Sequence, residues 1–289
     1  MSWLIVGTVP DADYGLTWGS FVLRGREMLV GNRPLSVARG TPALMATAAL
    51  AARTLGIETP QALIVGDTGT GEGSARLYAR LVEGLGRCGY AGLTFHYLMP
   101  DVEWHNKILW GLEGLAHTPM LVADAGFMYA AKMSGFAAHY DLFTPDAGEM
   151  AFLADDTAPH PFYTRGFFLQ EEERVPDLIK AAHDGKNSAR HLLVKGRVDH
   201  VAAAGKILSE VRSPDVPAME PIGGTGDTLT GLVTALLAAG KPVPEACRIA
   251  ALANRLMGSL AAPDPSFGVA DLLQFLPQAL ERALTLEGR

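Results

Sequence analysis

Short, uniformly apolar runs alternate with helical patterns along this chain, and this alternation restricts the fold more than any other feature. The run ALIVG at 62–66 contains no polar residue, which is typical of a strand buried on both faces of a parallel sheet. The segment at 72–86 instead places Leu77, Leu81 and Leu85 on one helical face and arginines on another. Together these patterns predict a three-layer α/β/α sandwich with a mainly parallel central sheet.

The same two patterns recur along most of the sequence. The predicted strands are 62–66, 93–98, 120–124, 140–144 and 191–196. The predicted helices are 41–55, 72–86, 103–115, 172–184, 227–239, 244–260 and 269–286. Because no repeat, low-complexity tract or long linker interrupts the series, we expect one domain over residues 1–289.

Composition narrows the class of protein and its partners. With 48% hydrophobic and 19% charged residues, the chain is folded and globular. The net charge of −7 argues against nucleic acid or an anionic membrane as the main partner. No apolar stretch approaches the length of a membrane span, and no basic residues precede the short N-terminal apolar run. Since Cys88 and Cys247 also form no disulfide framework, we expect a cytoplasmic protein.

Polar residues follow four of the predicted strands. The segments are GDTGTGEGS, ADAGFMY, TPDAGEM and KGRVDH, each rich in Gly, Asp or Lys. Ligands bind beyond the carboxyl ends of the strands in such sheets. The sequence therefore predicts a ligand site along this edge.

The most informative of these motifs is GGTGDTLTGL at 223–232, which opens an apolar, helix-forming run. A helix N-terminus carries unpaired N–H groups and a partial positive charge, so it attracts anions. Glycines at 223, 224 and 226 would let a phosphate approach the backbone closely. Asp227 could cap the helix or act as a base. The three neighbouring glycines favour an anion site with Asp227 as its base.

Other motifs admit structural interpretations. The loop VGDTGTGEGS at 65–74 lacks the lysine of a Walker A loop, and a tight strand-to-helix turn explains it equally well. Asp146 and Glu149 share one helical face and could hold Mg²⁺ through water, or could simply stabilise the helix N-terminus. For this pair taken alone, stabilisation of the helix N-terminus is the preferred interpretation. His96 and His105 lack metal-ligand spacing and are interpreted as loop or core residues.

The aromatic segment APHPFYTRGFF at 158–168 contains Arg165. It could stack on a base, line a substrate pocket or form a subunit contact.

Taken together, these segments resemble the ribokinase-like superfamily, and within it the ADP/ATP-dependent NAD(P)H-hydrate dehydratases. They occur in the family's order between about residues 36 and 260, as ALIVGDTGTG, PMLVADAGFM, TPDAGEMAFL, LLVKG and GGTGDTLTG. The motif GGTGDTLTG is the most specific of these, because it matches the glycines of the family's anion hole and the family's catalytic aspartate. Two features depart from the family pattern. Asp146 and Ala147 stand where the family has His-Pro, and SVARGTPALMATAALAA replaces its Gly-Gly-Ser opening.

The resemblance implies roles for particular residues. Asp227 would be the general base that takes the proton from the substrate hydroxyl. The terminal phosphates of ATP or ADP would bind the backbone amides of Gly224, Thr225 and Gly226. The nucleotide would also lie beside Lys195 and Gly196. The acceptor side would be lined by Gly66, Asp67 and Asp124. Asp146 would contact the substrate and, with Glu149, Mg²⁺.

The resemblance favours a dehydratase that repairs hydrated NADH or NADPH by phosphorylating the substrate hydroxyl and then losing phosphate. A kinase acting on a sugar or vitamin-precursor alcohol shares the first half of this chemistry. A non-catalytic nucleotide-binding protein is a third hypothesis, which the intact GGTGD disfavours. An acceptor pocket of dinucleotide size would favour the dehydratase, and a small closed pocket the kinase. The resemblance also makes a homo-oligomer plausible.

Overall fold

The computed structural model describes residues 2–31, 33–87, 89–157 and 174–288. The aromatic segment at 158–168 lies outside the described residues, as do Cys88 and the first two residues of the helix predicted at 172–184.

One mixed sheet runs through the described part of the chain. Its strands are β1 (Trp3–Val9), β2 (Thr17–Arg24), β3 (Glu27–Val30), β4 (Arg33–Ser36), β5 (Gln61–Gly66), β6 (Gly92–His96), β7 (Met120–Ala123), β8 (Leu142–Phe143), β9 (His191–Val194), β10 (Asp199–Ala203) and β11 (Lys206–Val211). Their order across the sheet is β11-β10-β9-β8-β7-β6-β1-β5-β2-β3-β4. The strands from β9 to β5 pair in parallel, and those at both edges pair antiparallel.

The parallel centre of the sheet confirms the fold expected from the apolar runs. The five predicted strands correspond to β5, β6, β7, β8 and β9. Strand β1 was not among them, although its run WLIVGTV is buried along its whole length and carries the same apolar signal. The edge strands carry weaker signals, because β4 contains a proline and β11 mixes charged with apolar residues.

Helices cover both faces of the sheet. They are α1 (Thr41–Leu55), α2 (Glu72–Gly84), α3 (Val102–Glu113), α4 (Gly126–Met133), α5 (Ala147–Ala154), α6 (Val175–Asp184), α7 (Thr225–Ala238), α8 (Val243–Ala261), α9 (Val269–Leu272) and α10 (Leu276–Glu287). The short helix α4 was not predicted, whereas the start of α5 was expected from Asp146 and Glu149. A 3₁₀ turn at 273–275 divides the segment predicted as one helix at 269–286. Of the helices described, none combines the length and apolarity needed to cross a membrane.

The core has two halves separated by the sheet. Leu4 and Val6 of β1 belong to one hydrophobic cluster and Ile5 to the other, since successive strand residues point to opposite faces. Helices α1, α7, α8 and α10 contribute to the cluster that contains Ile5, whereas α2, α3, α5 and α6 contribute to the other. This packing brings the N-termini of α1 and α7 to the carboxyl edge of the parallel strands.

Candidate active site

Two cavities lie at this carboxyl edge. The larger cavity, of about 640 Å³, is bounded by the loops after β7, β8 and β9 and by the N-terminus of α7. The smaller cavity, of about 190 Å³, is bounded by the ends of β1, β5 and β6 and by the N-terminus of α1. Tyr97 lines both. Asp227 lines the larger cavity, and its carboxylate accepts a hydrogen bond from Gly40, which lines the smaller one. Asp227 therefore stands where the two cavities meet.

The N-cap residue of helix α7 is a glycine, so it has no side chain to accept hydrogen bonds from the first backbone N–H groups of the helix. This N-cap, Gly224, has a φ of 99°, and a β-carbon there would lie 2.8 Å from the Val269 side chain. Only glycine suits a position that is both left-handed and crowded. Thr225 and Gly226 follow in the first turn, where N–H groups lack intrahelical acceptors and attract anions. The three residues expected to bind phosphate thus lie together on the wall of the larger cavity.

Asp227 is the third residue of α7, and its side chain points to neighbouring elements and does not cap its own helix. Its Oδ2 accepts the Gly40 N–H at 2.5 Å, and its Oδ1 lies 3.1 Å from His96 Nε2. Burial alone would raise the pKa of this carboxyl, but His96 and Lys195 outweigh it and hold the pKa below its usual value. The carboxylate is therefore ionised at neutral pH and held in one orientation, as a general base requires.

Lys195 and Asp124 form an ion pair beside Asp227. Lys195 Nζ donates to both carboxylate oxygens of Asp124, at 2.9 and 3.0 Å, and the Thr230 hydroxyl donates to the same carboxylate at 2.6 Å. Burial tends to lower the pKa of Lys195, but Asp124 outweighs it and the pKa lies above its usual value. The ammonium lies 3.7 Å from the position that a β-carbon would take on Gly226. A fixed positive charge therefore faces the amides at the start of α7.

Asp146 and Glu149 form a capping box at the start of α5. Asp146 Oδ1 accepts the Glu149 N–H at 2.8 Å, and Glu149 Oε2 accepts the Asp146 N–H at 2.9 Å. This geometry confirms the structural interpretation of the pair as residues that stabilise a helix N-terminus. Burial, and then the neighbouring Asp146, raises the pKa of Glu149 to about 8.

The same two carboxylates line the larger cavity, where a nucleotide-bound Mg²⁺ could meet them. Within the described ranges, no group of three or more His, Cys, Asp or Glu side chains could hold a metal ion. Mg²⁺ often takes only one or two carboxylates and completes its shell with water and phosphate oxygens. The donors present fit Mg²⁺ in that mode, with most of its ligands supplied by nucleotide and water.

Asp67 organises the glycine-rich loop between β5 and α2. Its carboxylate accepts hydrogen bonds from the N–H groups of Gly69, Gly71 and Ser74 and from the Ser74 hydroxyl. Burial tends to raise the pKa of Asp67, but these hydrogen bonds outweigh it and lower the pKa. Asp67 lines the smaller cavity, yet its charge is already stabilised by its own loop.

The remaining two predicted site residues, both glycines, have different surroundings. Gly196 lines the larger cavity, and its N–H donates to Asp199 Oδ1 at 3.2 Å. Gly66 is not among the described residues that line either cavity. It packs against the Asp11 carbonyl, and its N–H donates to the Tyr14 carbonyl at 2.8 Å.

Arg255 supports the wall of the larger cavity, and sequence reasoning did not identify it. Its Nε donates to Asp199 Oδ2 at 2.7 Å, and its Nη2 donates to the carbonyls of Gly196 and Arg197 at 2.9 and 2.8 Å. Both side chains of this ion pair are buried. An arginine beside Asn254, within the mostly apolar helical run ALANRLMG, is the sequence signal that could have found it.

His96 and Tyr97 are also site residues that the sequence did not assign to the site. His96 is fully buried and contacts Asp227, whereas Tyr97 has a φ of 51° and is 45% exposed between the two cavities. A histidine and a tyrosine at the end of an apolar predicted strand were visible in FHYLMP, but their partners were not.

Comparison with known proteins first defines the fold class. A ribokinase-like superfamily protein from Enterococcus faecalis matches with a TM-score of 0.56 and 17% identity, over 98% of this chain and 87% of that one. The fold is therefore ribokinase-like.

The family follows from sequence. Residues 100–280 match the family model described as NAD(P)H-hydrate dehydratase, and the chain belongs to this carbohydrate-kinase family. An uncharacterized protein from Methanocaldococcus jannaschii is 35% identical over 223 residues, which are 77% of this chain and 91% of that protein.

Relatives whose names state an activity match shorter parts of this chain. The bifunctional NAD(P)H-hydrate repair enzyme from Pyrobaculum aerophilum is 34% identical over 143 residues, which span 49% of this chain and 26% of that enzyme. The ADP-dependent (S)-NAD(P)H-hydrate dehydratase from Cenarchaeum symbiosum is 26% identical over 160 residues, 55% of this chain and 50% of that enzyme.

Proposed function

We propose that this protein is a nucleotide-dependent dehydratase that repairs hydrated NADH or NADPH. Family membership supports the substrate. The observation that carries the chemistry is the ionised, oriented carboxylate of Asp227, at the junction of two cavities and in the first turn of α7.

In this proposal the larger cavity takes ADP or ATP. Its volume of about 640 Å³ lies within the range of small-molecule sites, which runs from roughly 300 to 1,000 Å³. The terminal phosphates bind the amides of Gly224, Thr225 and Gly226, where the helix dipole and Lys195 favour negative charge. Asp146 and Glu149 would hold Mg²⁺, which supplies further positive charge to the phosphates.

The smaller cavity takes the hydrated nicotinamide ring. Asp227 accepts the proton of the ring hydroxyl, and the hydroxyl oxygen forms a bond to the terminal phosphorus while the bond from that phosphorus to the nucleotide breaks. The bond between the ring carbon and this phosphorylated oxygen, which was already present in the hydrate, then breaks. Inorganic phosphate leaves, and the adjacent ring carbon loses a proton, which restores the reduced nicotinamide.

Arg39 supports an anionic acceptor. It is exposed and lines the smaller cavity, and of the described residues lining that cavity it is the one lysine or arginine. A nicotinamide dinucleotide carries phosphates that a guanidinium binds well. Gly69, Tyr97 and Met99 are exposed at the same cavity, so a substrate can extend outward from the ring.

A small-molecule kinase is the second candidate, and the size of the smaller cavity favours it. About 190 Å³ is below the usual range for drug-sized ligands, so it suits a compact alcohol better than a whole dinucleotide. Such an enzyme would use Asp227 in the same way but would release the phosphorylated alcohol.

The test follows both products at once. Hydrated NADH or NADPH is incubated with Mg²⁺ and either ATP or ADP, while reduced-nicotinamide absorbance and phosphate release are recorded. We expect both signals to rise together in the wild type and to fall in Asp227→Asn. The exposed acid in the first turn of α6 gives the matched control, Asp177→Asn, which should behave as wild type. Nucleotide binding without recovery of either signal would refute the dehydratase and lead to a screen of alcohols for a kinase.

A further inference from the structure

His96 is a fully buried, polar residue that contacts Asp227 directly, and the reaction outlined above assigns it no role. It is the last residue of β6, and its two ring nitrogens face different partners. Nε2 lies 3.1 Å from Asp227 Oδ1, and Nδ1 lies 3.0 Å from the Thr41 hydroxyl oxygen at the start of α1. These contacts join three elements that are distant in the sequence.

The ionisation of Asp227 fixes the direction of its hydrogen bond with His96. An ionised carboxylate only accepts, so Nε2 must carry the hydrogen and donate it to Asp227. The other ring nitrogen, Nδ1, is held by its hydrogen bond with the Thr41 hydroxyl. The hydrogen-bond chain therefore links Thr41 to Asp227 through His96.

A second carboxylate near His96 is already neutralised. Asp124 Oδ2 lies 3.7 Å from Nε2, beyond hydrogen-bond distance. Asp124 instead receives both hydrogen bonds from Lys195 and a third from Thr230. Of these two carboxylates, His96 Nε2 therefore hydrogen-bonds only to Asp227.

A glycine of strand β1 provides the space for this chain of hydrogen bonds. Gly7 is paired with His96 in the parallel register between β1 and β6. A β-carbon at Gly7 would lie 2.8 Å from the His96 carbonyl oxygen and 2.8 Å from the Thr41 side chain. Glycine in a strand interior is unfavourable unless another group approaches closely, and here Thr41 and His96 do so.

We propose that His96 is a positioning residue, which holds the Asp227 carboxylate in its reactive orientation through the hydrogen-bond chain from Thr41. This inference rests on the role of Asp227 in the proposed function. It applies equally to a dehydratase and to a kinase, because both begin with removal of the hydroxyl proton. With Oδ2 bonded to the Gly40 N–H and Oδ1 to His96, the carboxylate has two fixed points and retains lone pairs for the substrate hydroxyl.

The charged and titratable groups around Asp227 fix the expected effect of pH. His96 on β6 and Lys195 after β9 favour the ionised carboxylate, while Asp124 after β7 is paired with Lys195. Tyr97 also faces Asp227, and burial followed by the charge of Asp227 raises its pKa to about 12, so it stays neutral. Loss of His96 should therefore raise the pKa of Asp227 and move the acid limb of kcat/KM to higher pH.

The first test needs no substrate. The carboxyl carbon of Asp227 is titrated by NMR in the free protein, with Asp227→Asn used to assign the signal. In His96→Leu we expect the midpoint to rise relative to wild type, with His96→Gln between the two because its amide can still donate. Thr41→Val, nearly isosteric, leaves His96 in place and should give a smaller rise, so the test survives if His96→Leu does not fold. An Asp227 midpoint that is unchanged in all three variants would overturn the proposal.

The second test uses activity. In His96→Leu we expect kcat to fall about 100-fold, the scale of a misplaced catalytic group, with little change in KM for the nucleotide. The control is His105→Leu, since His105 is equally buried but bonds the Tyr140 hydroxyl and the Ser134 hydroxyl. The His105→Leu variant should have a lower free energy of unfolding but an unchanged acid limb of kcat/KM. Equal loss of kcat in both variants would show a merely structural role and reject positioning. Because the NMR titration involves no reaction, a wrong choice of substrate and a wrong role for His96 give different results.

Discussion

Helices α2 and α7 both begin at glycine-rich loops on the same edge of the sheet, yet their N-termini differ in what they bind. Each has a glycine N-cap in the left-handed region, Gly71 with φ 83° and Gly224 with φ 99°. At α2 the loop amides are bonded by Asp67 from the same loop. At α7 the nearby acid, Asp227, turns away to Gly40 and His96.

The position of the acid relative to the helix accounts for this difference. Asp67 lies four residues before the N-cap, so its carboxylate folds back into its own loop and supplies the anion internally. Asp227 lies three residues after the N-cap, inside the first turn, where it leaves the amides free for an external phosphate. We therefore expect α2 to contribute stability and α7 to contribute phosphate binding and catalysis.

The largest effect expected from this comparison is on activity at α7. Asp227→Asn removes the base and should lower kcat about 10²- to 10⁴-fold, the usual range for a general base. The fold should persist, because an amide retains one acceptor. Steady-state kinetics with nucleotide binding measured separately would check this. A variant with nearly full kcat would remove Asp227 from the mechanism.

The counterpart at α2 is Asp67→Asn, which should affect stability. The Asp67 carboxylate accepts four hydrogen bonds, and this substitution replaces it with a neutral amide. Because a hydrogen bond to a charged group contributes about 1.5–3 kcal/mol, we expect the free energy of unfolding to fall by roughly 2 kcal/mol. Because the folded-state pKa of Asp67 is lowered, this stability is present above its unfolded pKa and is lost as pH falls through the folded pKa. Urea unfolding of both proteins should therefore differ at neutral pH and converge in acid. A large loss of kcat with unchanged stability would reverse the roles assigned to the two helices.

The two loops also show which features of the fold and the site can be predicted from the sequence. Local patterns were sufficient for the parallel strands other than β1, for the helix at 41–55 and for Asp146 and Glu149 as acids at a helix start. The His96–Asp227 contact could not be predicted, because it joins residues 131 positions apart and depends on how β6 and α7 pack. The different roles of Asp67 and Asp227 likewise depend on backbone geometry, which the letters of two similar Gly-Asp-Thr loops do not distinguish.

A third prediction concerns two adjacent glycines that immediately precede α7. Gly224→Ala places a β-carbon in a left-handed position and 2.8 Å from the Val269 side chain, a strain of about 1–3 kcal/mol that should weaken nucleotide binding. Gly223→Ala is the matched control, since no described heavy atom lies within 4 Å of its β-carbon position. Calorimetric titration with ADP measures both. Equal affinities in the two variants would mean that the backbone at Gly224 does not bind phosphate.

The smallest predicted effect is the response to inorganic phosphate alone. At a phosphate concentration equal to its Kd, the stabilisation is RT ln 2, about 0.4 kcal/mol, or on the order of 1 °C in Tm. Wild type and Asp67→Asn should show this rise, and Gly224→Ala should not. If Asp67→Asn alone lost the rise, phosphate binding would belong to α2.

The central claim is that α7, and not α2, binds the phosphoryl group that is transferred. A crystal structure with Mg²⁺ and a non-hydrolysable ATP analogue tests it most directly. We expect the terminal phosphate within hydrogen-bond distance of the amides of Gly224, Thr225 and Gly226, with Lys195 and Asp227 beside it. A terminal phosphate bound at the Asp67 loop, with the start of α7 vacant, would contradict the account.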